Sequence, residues 1–118
     1  MSTLRGIFLT SADPQRTARF YRDIAGLNLE QIGPPGGYQY WKIDDGSMQL
    51  AIHAADSFSD YTHPPVAGSN LTHLYFKIPD QAAFLEHLRT QQVTPYNTDD
   101  VVVTVIDPDG RKVMFGTA

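Results

Sequence analysis

Two histidines, a glutamine, a methionine and a group of aromatic residues are the side chains of this 118-residue chain that could do chemistry at one site. His53 and His73 can ligate a metal, carry a proton or hydrogen-bond a bound molecule. For His73 the strand parity, which turns it to the cavity face, favours the hydrogen-bonding role. Gln49 can orient a ligand through its amide, and Met114 offers a soft thioether. Phe8, Tyr38, Tyr40 and Tyr75 supply rings for stacking on a planar ligand. Lys42 and Lys77 either lend such a site positive charge or lie at strand ends with their ammonium groups in water. A metal bound by His53, Gln49 and His73 is one conceivable arrangement. It is strained by distance, because four residues of strand separate His53 from Gln49 by ~13 Å. Trp41 reads as core, and His63 and His87 as loop and helix-surface residues. The carboxylates fall in turns and helix caps, which argues against acid–base hydrolysis. There is no glycine-rich phosphate loop and no G-x-S-x-G elbow.

Two strand–helix–hairpin units must position these side chains. Residues 6–11 (GIFLTS) read as a strand. Asp13-Pro14 then offers an N-cap followed by a proline at the first helical position. Thr17, Phe20, Tyr21 and Ile24 fall on one helical face, and Gly26 is a stop. After a Gly/Pro-rich break over 33–37, residues 38–43 and 48–53 read as a hairpin, turned at Asp45-Gly46. The second half repeats the order. Residues 73–78 form a strand, and Asp80 caps a helix that buries Phe84, Leu85 and Leu88. A polar stretch runs over 91–100, residues 101–106 form a strand, Asp107-Pro108-Asp109-Gly110 turns, and residues 112–116 return. The cap-to-turn spacings are 33 residues (Asp13 to Gly46) and 30 (Asp80 to Gly110). An internal duplication follows from this matching order. The chain reads as a single domain, with module 1 over about 4–54, a linker over about 55–70 and module 2 over about 71–118.

Strand alternation assigns faces. Leu74, Phe76 and Ile78 form an apolar stripe, as do Met48, Leu50 and Ile52, and Trp41 and Ile43. The opposite face collects Tyr38, Tyr40, Lys42, Gln49, His53, His73, Tyr75, Lys77 and Met114. With Asp45-Gly46 as a two-residue turn, Lys42 pairs with Gln49, Tyr40 with Ala51 and Tyr38 with His53. That face is too aromatic for ordinary wetted surface and too polar for a dry core. It has the composition of a ligand cavity, although a sheet wetted on one side has a similar pattern.

The order Gly6 to Gly26 with Asp13, Phe20-Tyr21 and Gly26-Leu27, then His73 opening a strand and Asp107-Pro108-Asp109-Gly110 before the last, resembles the vicinal oxygen chelate superfamily. That superfamily includes glyoxalase I, extradiol dioxygenases and bleomycin-resistance proteins. The resemblance covers nearly the whole chain. It implies an α+β fold of two βαβββ modules, each a partial-barrel sheet with its helix on the outer face, often in a homodimer. It also implies four metal-ligand positions, which here hold Gly6, Gln49, His73 and Met114. A glycine and a thioether cannot replace the usual carboxylate and imidazole for a hard cation, and Gln49 and His73 alone are too few. The resemblance therefore points to the metal-free, drug-sequestering branch.

Composition narrows the rest. The net charge of −4 and the scattered Lys and Arg exclude a nucleic-acid face. Without cysteine there are no disulfides or thiolate metal sites. The first residues lack a signal-peptide pattern, and no run reaches the ~20 apolar residues of a membrane helix. The expectation is a cytoplasmic, homodimeric protein that binds a small planar organic molecule and uses no cofactor. Phe8, Tyr38, Tyr40, Gln49, His53, His73, Tyr75 and Met114 would line its cavity. The alternative is a metal-dependent lyase or dioxygenase with atypical ligands.

Overall fold

The computed structural model describes residues 4–58 and 74–118. His73, His63 and most of the expected linker lie outside them. The elements are β1 (Gly6–Ser11), α1 (Pro14–Asp23), β2 (Glu30–Ile32), β3 (Tyr40–Asp44), β4 (Gln49–Ala54), α2 (Ala55–Phe58), β5 (Leu74–Lys77), α3 (Gln81–Thr90), β6 (Asn97–Thr98), β7 (Val102–Ile106) and β8 (Lys112–Gly116). They form two four-stranded sheets, ordered β1-β4-β3-β2 and β5-β8-β7-β6. In each sheet one parallel pair joins the strand before the main helix to the last strand of the module, and the other pairs are antiparallel. The repeat read in the sequence is thus a repeat of topology. Neither main helix, at ten residues, is long enough to cross a membrane, and no other described helix is.

Both helices begin where the caps place them. The Asp13 carboxylate accepts from the Arg16 amide at 3.2 Å, with Pro14 in the first turn. Asp80 accepts from the Ala83 amide at 3.0 Å. Such caps stabilise a helix by ~1 kcal/mol each, because they satisfy donors that no carbonyl of the helix can reach. Helix α1 buries Thr17, Ala18 and Tyr21, and α3 buries Phe84 and Leu88. The Phe84 ring stacks on Phe115 with centroids 4.5 Å apart. The core side of the sheets carries Leu9, Ile52, Val103, Val105, Val113 and Phe115, with Trp41, Leu50, Leu74 and Phe76 packed against them. Strand parity is therefore as the sequence implies.

Three expectations change. Two short edge strands, β2 and β6, fall in stretches with too few residues to show alternation. The expected linker begins with a helical turn, α2. The first hairpin is shifted by two residues: Lys42 faces Ala51 and Asp44 faces Gln49. Its turn centres on Gly46-Ser47, closed by the Asp45 amide donating to the Met48 carbonyl at 3.2 Å. Gly46 has φ +93°, which suits the first central position of a two-residue hairpin loop. The Asp45 carboxylate accepts from the amides of Ser47 and Met48. Those bonds, with one from the Ser47 hydroxyl, hold its pKa down to about 2. A shift of two leaves every side chain on its expected face.

The modules meet where the turn before β8 reaches the corner between β1 and α1. Asp107, only 3% exposed, accepts four hydrogen bonds. The Asp109 and Arg111 amides donate to one oxygen, and the Tyr21 hydroxyl (2.8 Å) and an Arg111 guanidinium nitrogen (3.0 Å) to the other. Arg111 also donates to the Thr10 carbonyl. Asp109 accepts from the Ala12 amide and from the Thr17 hydroxyl, which in turn contacts the Ser11 hydroxyl at 2.8 Å. Burial pushes Asp109 up, but these bonds and Arg111 outweigh it and hold its carboxyl below the usual range. Burial, then the Asp107 charge, pushes the Tyr21 hydroxyl well above the ordinary phenol range. Tyr21→Phe is expected to cost about 1.5–3 kcal/mol in urea unfolding, the value of a hydrogen bond to a charged group. Asp107→Ala should cost more, since Arg111 and Tyr21 lose their shared acceptor.

Candidate functional site

The face of each sheet turned away from its helix holds the described residues among those singled out above. On the first sheet, β1 contributes Phe8, β3 contributes Tyr40, β4 contributes Gln49 and His53, and Tyr38 lies just before β3. The hairpin register brings Tyr40 beside His53, with ring centroids 4.6 Å apart and planes within 15°. Tyr38 stacks on the same imidazole at 5.9 Å, and its hydroxyl lies 2.7 Å from His53 Nδ1, in hydrogen-bond contact. Phe8 closes the other side at 5.3 Å, tilted by 58°. Four rings from three segments thus form one array. Phe8 is 53% exposed and Tyr38 44%, so this array is open on its outer side.

Gln49 sits at the entrance to β4, opposite Gly6 on β1. A Cβ at Gly6 would lie 2.8 Å from the Gln49 carbonyl oxygen and 3.5 Å from the Phe8 ring. The glycine is what allows the two strands and the Phe8 ring to approach there. On the second sheet Tyr75 lies beside Met114. The Tyr75 ring covers Gly116, where a Cβ would be 2.5 Å from its hydroxyl, and that hydroxyl donates to the Ala118 carbonyl at 2.8 Å. Met114 borders a cleft of about 340 Å³ with Tyr96, Asn97, Thr104 and Lys112. Gln49 borders another, of about 240 Å³, between Leu27, Ile43, Met48 and Phe76. The residues named from the sequence therefore fall into a first-sheet group (Phe8, Tyr38, Tyr40, His53, with Gln49 nearby) and a second-sheet group (Tyr75, Met114). Among the described residues Gln49 and Met114 border different clefts. His73, which precedes Tyr75, lies outside the described residues.

Tyr96, Asn97 and Thr104 belong to the second-sheet cleft and were not among the residues singled out. Alternation along 101–106 puts Thr104 on the same face as Met114, so it could have been found. Tyr96 and Asn97 lie in a polar stretch with no periodicity to assign them a face.

Paired βαβββ modules, each with a helix behind an open sheet, define the fold class of the glyoxalase and vicinal oxygen chelate proteins. The chain matches the model of the glyoxalase-like domain over residues 6–115 and belongs to that family. No curated protein matches it. Among solved structures it is similar to a lactoylglutathione lyase from Agrobacterium tumefaciens (21% identity, TM-score 0.67, 98% of this chain and 93% of that one). It is similar also to the trypanothione-dependent glyoxalase I of Leishmania major (14%, TM-score 0.69, 98% and 86%). An antibiotic-binding protein from Streptomyces matches at 18% identity, TM-score 0.63, over 98% and 95%. At these identities the likeness is one of fold.

The family's metal can be tested against the residues present. Gly6 has no donor atom and no room for a side chain, and Met114 supplies a thioether where a hard cation wants oxygen or nitrogen. Gln49 alone remains of the three described positions. Among the described residues no three His, Asp or Glu side chains come together. This donor set does not fit a hard divalent ion.

Burial lowers the His53 pKa from the free imidazole value of 6.5. The unfolded chain therefore takes up this proton more readily than the folded one. Stability is whole above pH ~6.5 and declines as the pH falls through 6.5 towards the folded midpoint. A two-dimensional NMR titration is expected to give His53 a midpoint below 6.5, and the slope of stability against pH just below 6.5 should flatten in His53→Gln.

Proposed function

We propose that this protein binds a small planar organic molecule on the faces of its sheets turned away from the helices and does so without a catalytic metal. The observation that carries the reading is the array of Phe8, Tyr38, Tyr40 and His53. It sets four rings on an open face where a solvated sheet would place short polar side chains. Rings supply contact area at low entropy cost, and Gln49 and the Tyr38–His53 pair supply orientation. The fold shared with an antibiotic-binding protein accords with sequestration, and the misfit of the metal-ligand positions with a family member that does not turn over substrate.

A screen of planar compounds by thermal shift tests the reading. A ligand at 100 times its dissociation constant stabilises the native state by about 2.7 kcal/mol. Tyr40→Ala should abolish the shift with little loss of stability. Leu74→Ala and Phe76→Ala, on the core side, should instead cost roughly 2–5 kcal/mol and leave affinity nearly intact. Reversal of that pattern would end the proposal. Elemental analysis of protein purified without chelator should find less than stoichiometric Ni, Zn, Mn or Fe. One metal per chain, lost in His73→Ala, would overturn the metal-free reading.

The same open faces support a homodimer. Phe8, Tyr38, Tyr75 and Tyr96 are large, ring-bearing and exposed, and β1, β2, β5 and β6 are the outer strands of their sheets. A two-fold partner would cover rings and edges alike. Light scattering should give twice the 13.1 kDa chain mass. A monomer at ~100 μM, far above the dissociation constant of a tight dimer, would decide against it.

A further inference from the structure

The face of the first sheet that carries the ring array also carries charge. Along β3, Tyr40, Lys42 and Asp44 alternate onto it, and Glu30 on β2 stands opposite Lys42. With Arg5 and Asn28, the three charged residues of these strands line a cleft of about 800 Å³, within the range of small-molecule sites. The charges that line it, Arg5, Glu30, Lys42 and Asp44, sum to zero. Asp45, next in the chain, spends its carboxylate on Ser47 and Met48. Two residues of strand separate Tyr40 from Lys42, ~7 Å along the face. Lys42 also lies in one cross-strand row with Ala51 and Phe8. The cleft therefore adjoins the ring array at Lys42.

Two of the four charges are paired with each other. Asp44 accepts from Arg5 at 2.5 Å on one oxygen and from the Gly46 amide at 2.8 Å on the other. Those bonds, and to a smaller degree the Lys42 charge, hold its carboxyl below the usual range. Among the described residues no ion pair joins Lys42 to Asp44 or to Glu30. Opposite charges on directly opposed strand positions are within reach of each other. Here the ammonium and the carboxylate both line the cleft instead. A singly charged molecule meets as much repulsion as attraction in such a neutral cleft. A molecule that carries both charges can place its carboxylate on Lys42 and its ammonium on Glu30, and each contact is then a charge-assisted hydrogen bond.

We propose that the ligand of the first sheet is an aromatic zwitterion of the α-amino acid type, its headgroup between Lys42 and Glu30 and its ring against Tyr40. This rests on the small-molecule reading above and adds to it the class of the ligand. The α-amino acid pattern fits because it sets an ammonium and a carboxylate on one carbon, matching two opposite charges on neighbouring strands. A single methylene then carries the ring towards Tyr40, the next residue along the same face.

L-Phenylalanine, 3-phenylpropanoate and 2-phenylethylamine share a ring and a two-carbon spacer but carry both charges, the negative one or the positive one. L-Alanine carries the headgroup without the ring. Each is titrated into the full chain while NMR follows the Asn28, Glu30, Tyr40 and Lys42 amides, with the Thr104 amide and the Met114 methyl group as reporters of the second sheet. L-Phenylalanine is expected to shift the first-sheet signals saturably, and the other three to bind at least about tenfold more weakly. Lys42→Met should bring L-phenylalanine down to the level of 2-phenylethylamine without changing the latter. Glu30→Gln should bring it down to the level of 3-phenylpropanoate, again without changing that probe. Equal binding of either singly charged probe, or unaltered L-phenylalanine affinity in both variants, would overturn the zwitterion assignment and leave small-molecule binding standing. Equal binding of L-alanine would overturn the part given to the ring, and shifts confined to Thr104 and Met114 would overturn the location. No shift with any of the four would overturn the whole assignment, whereas the binding reading falls only if the screen of planar compounds fails as well.

Discussion

One buried carboxylate holds the two halves of this molecule together. Asp107 follows the last residue of β7, inside a hairpin turn, and is almost wholly out of water. An uncompensated charge there would be untenable. It is tolerated because both oxygens are saturated: two backbone amides of its own turn on one, Tyr21 and Arg111 on the other. Two of those donors shape the turn, and one comes from α1 in the other module. The bonds that form the hairpin therefore also fix where the first module lies against it. Asp109, two residues on, repeats the pattern with the Ala12 amide and Thr17. The equivalent turn in module 1, around Asp45, spends its carboxylate on its own backbone. The modules share a topology, but only one of the two turns serves as the joint.

With the helix sides committed to the core, the opposite faces of both sheets carry the polar and aromatic side chains. Their chemistry then follows from which residues alternate outward. On the first sheet the yield is rings around an imidazole, hydrogen-bonded and balanced in charge. On the second it is amide, hydroxyl, thioether and ammonium around a tyrosine.

Much of this was legible because it depends on local rules. Asp13-Pro14 and Asp80 mark helix starts through donors that need acceptors, and the alternation in 74–78 and 49–53 sorts core from face without any tertiary information. The hairpin register was harder. Asp45-Gly46 and Gly46-Ser47 are both plausible turn centres, and the choice rests on the Asp45 carboxylate reaching two amides ahead of it, a bond that residue types alone do not specify. The error was two residues, so faces survived while cross-strand partners moved: Tyr40 stacks closer on His53 than Tyr38 does, and Tyr38 keeps its contact through its hydroxyl. Strands β2 and β6 have three and two residues, too short to show a period, and with β6 went the cleft residues Tyr96 and Asn97. The role of Asp107 was out of reach for a different reason. Its partner Tyr21 lies 86 positions away, and nothing local distinguishes a turn aspartate that stays in water from one that is drawn under a helix.

The close approach at Gly6 bears on what this chain could become. A side chain there meets the backbone oxygen of Gln49, a group that cannot swing aside as a flexible side chain would. Placing an imidazole or carboxylate at that position therefore requires β1 and β4 to separate, and β1 is tied at its far end to the intermodule joint through Thr10. A metal-ligating side chain at this position is then not one substitution away. A side chain at Gly6 would therefore first loosen the sheet that carries Phe8 and His53.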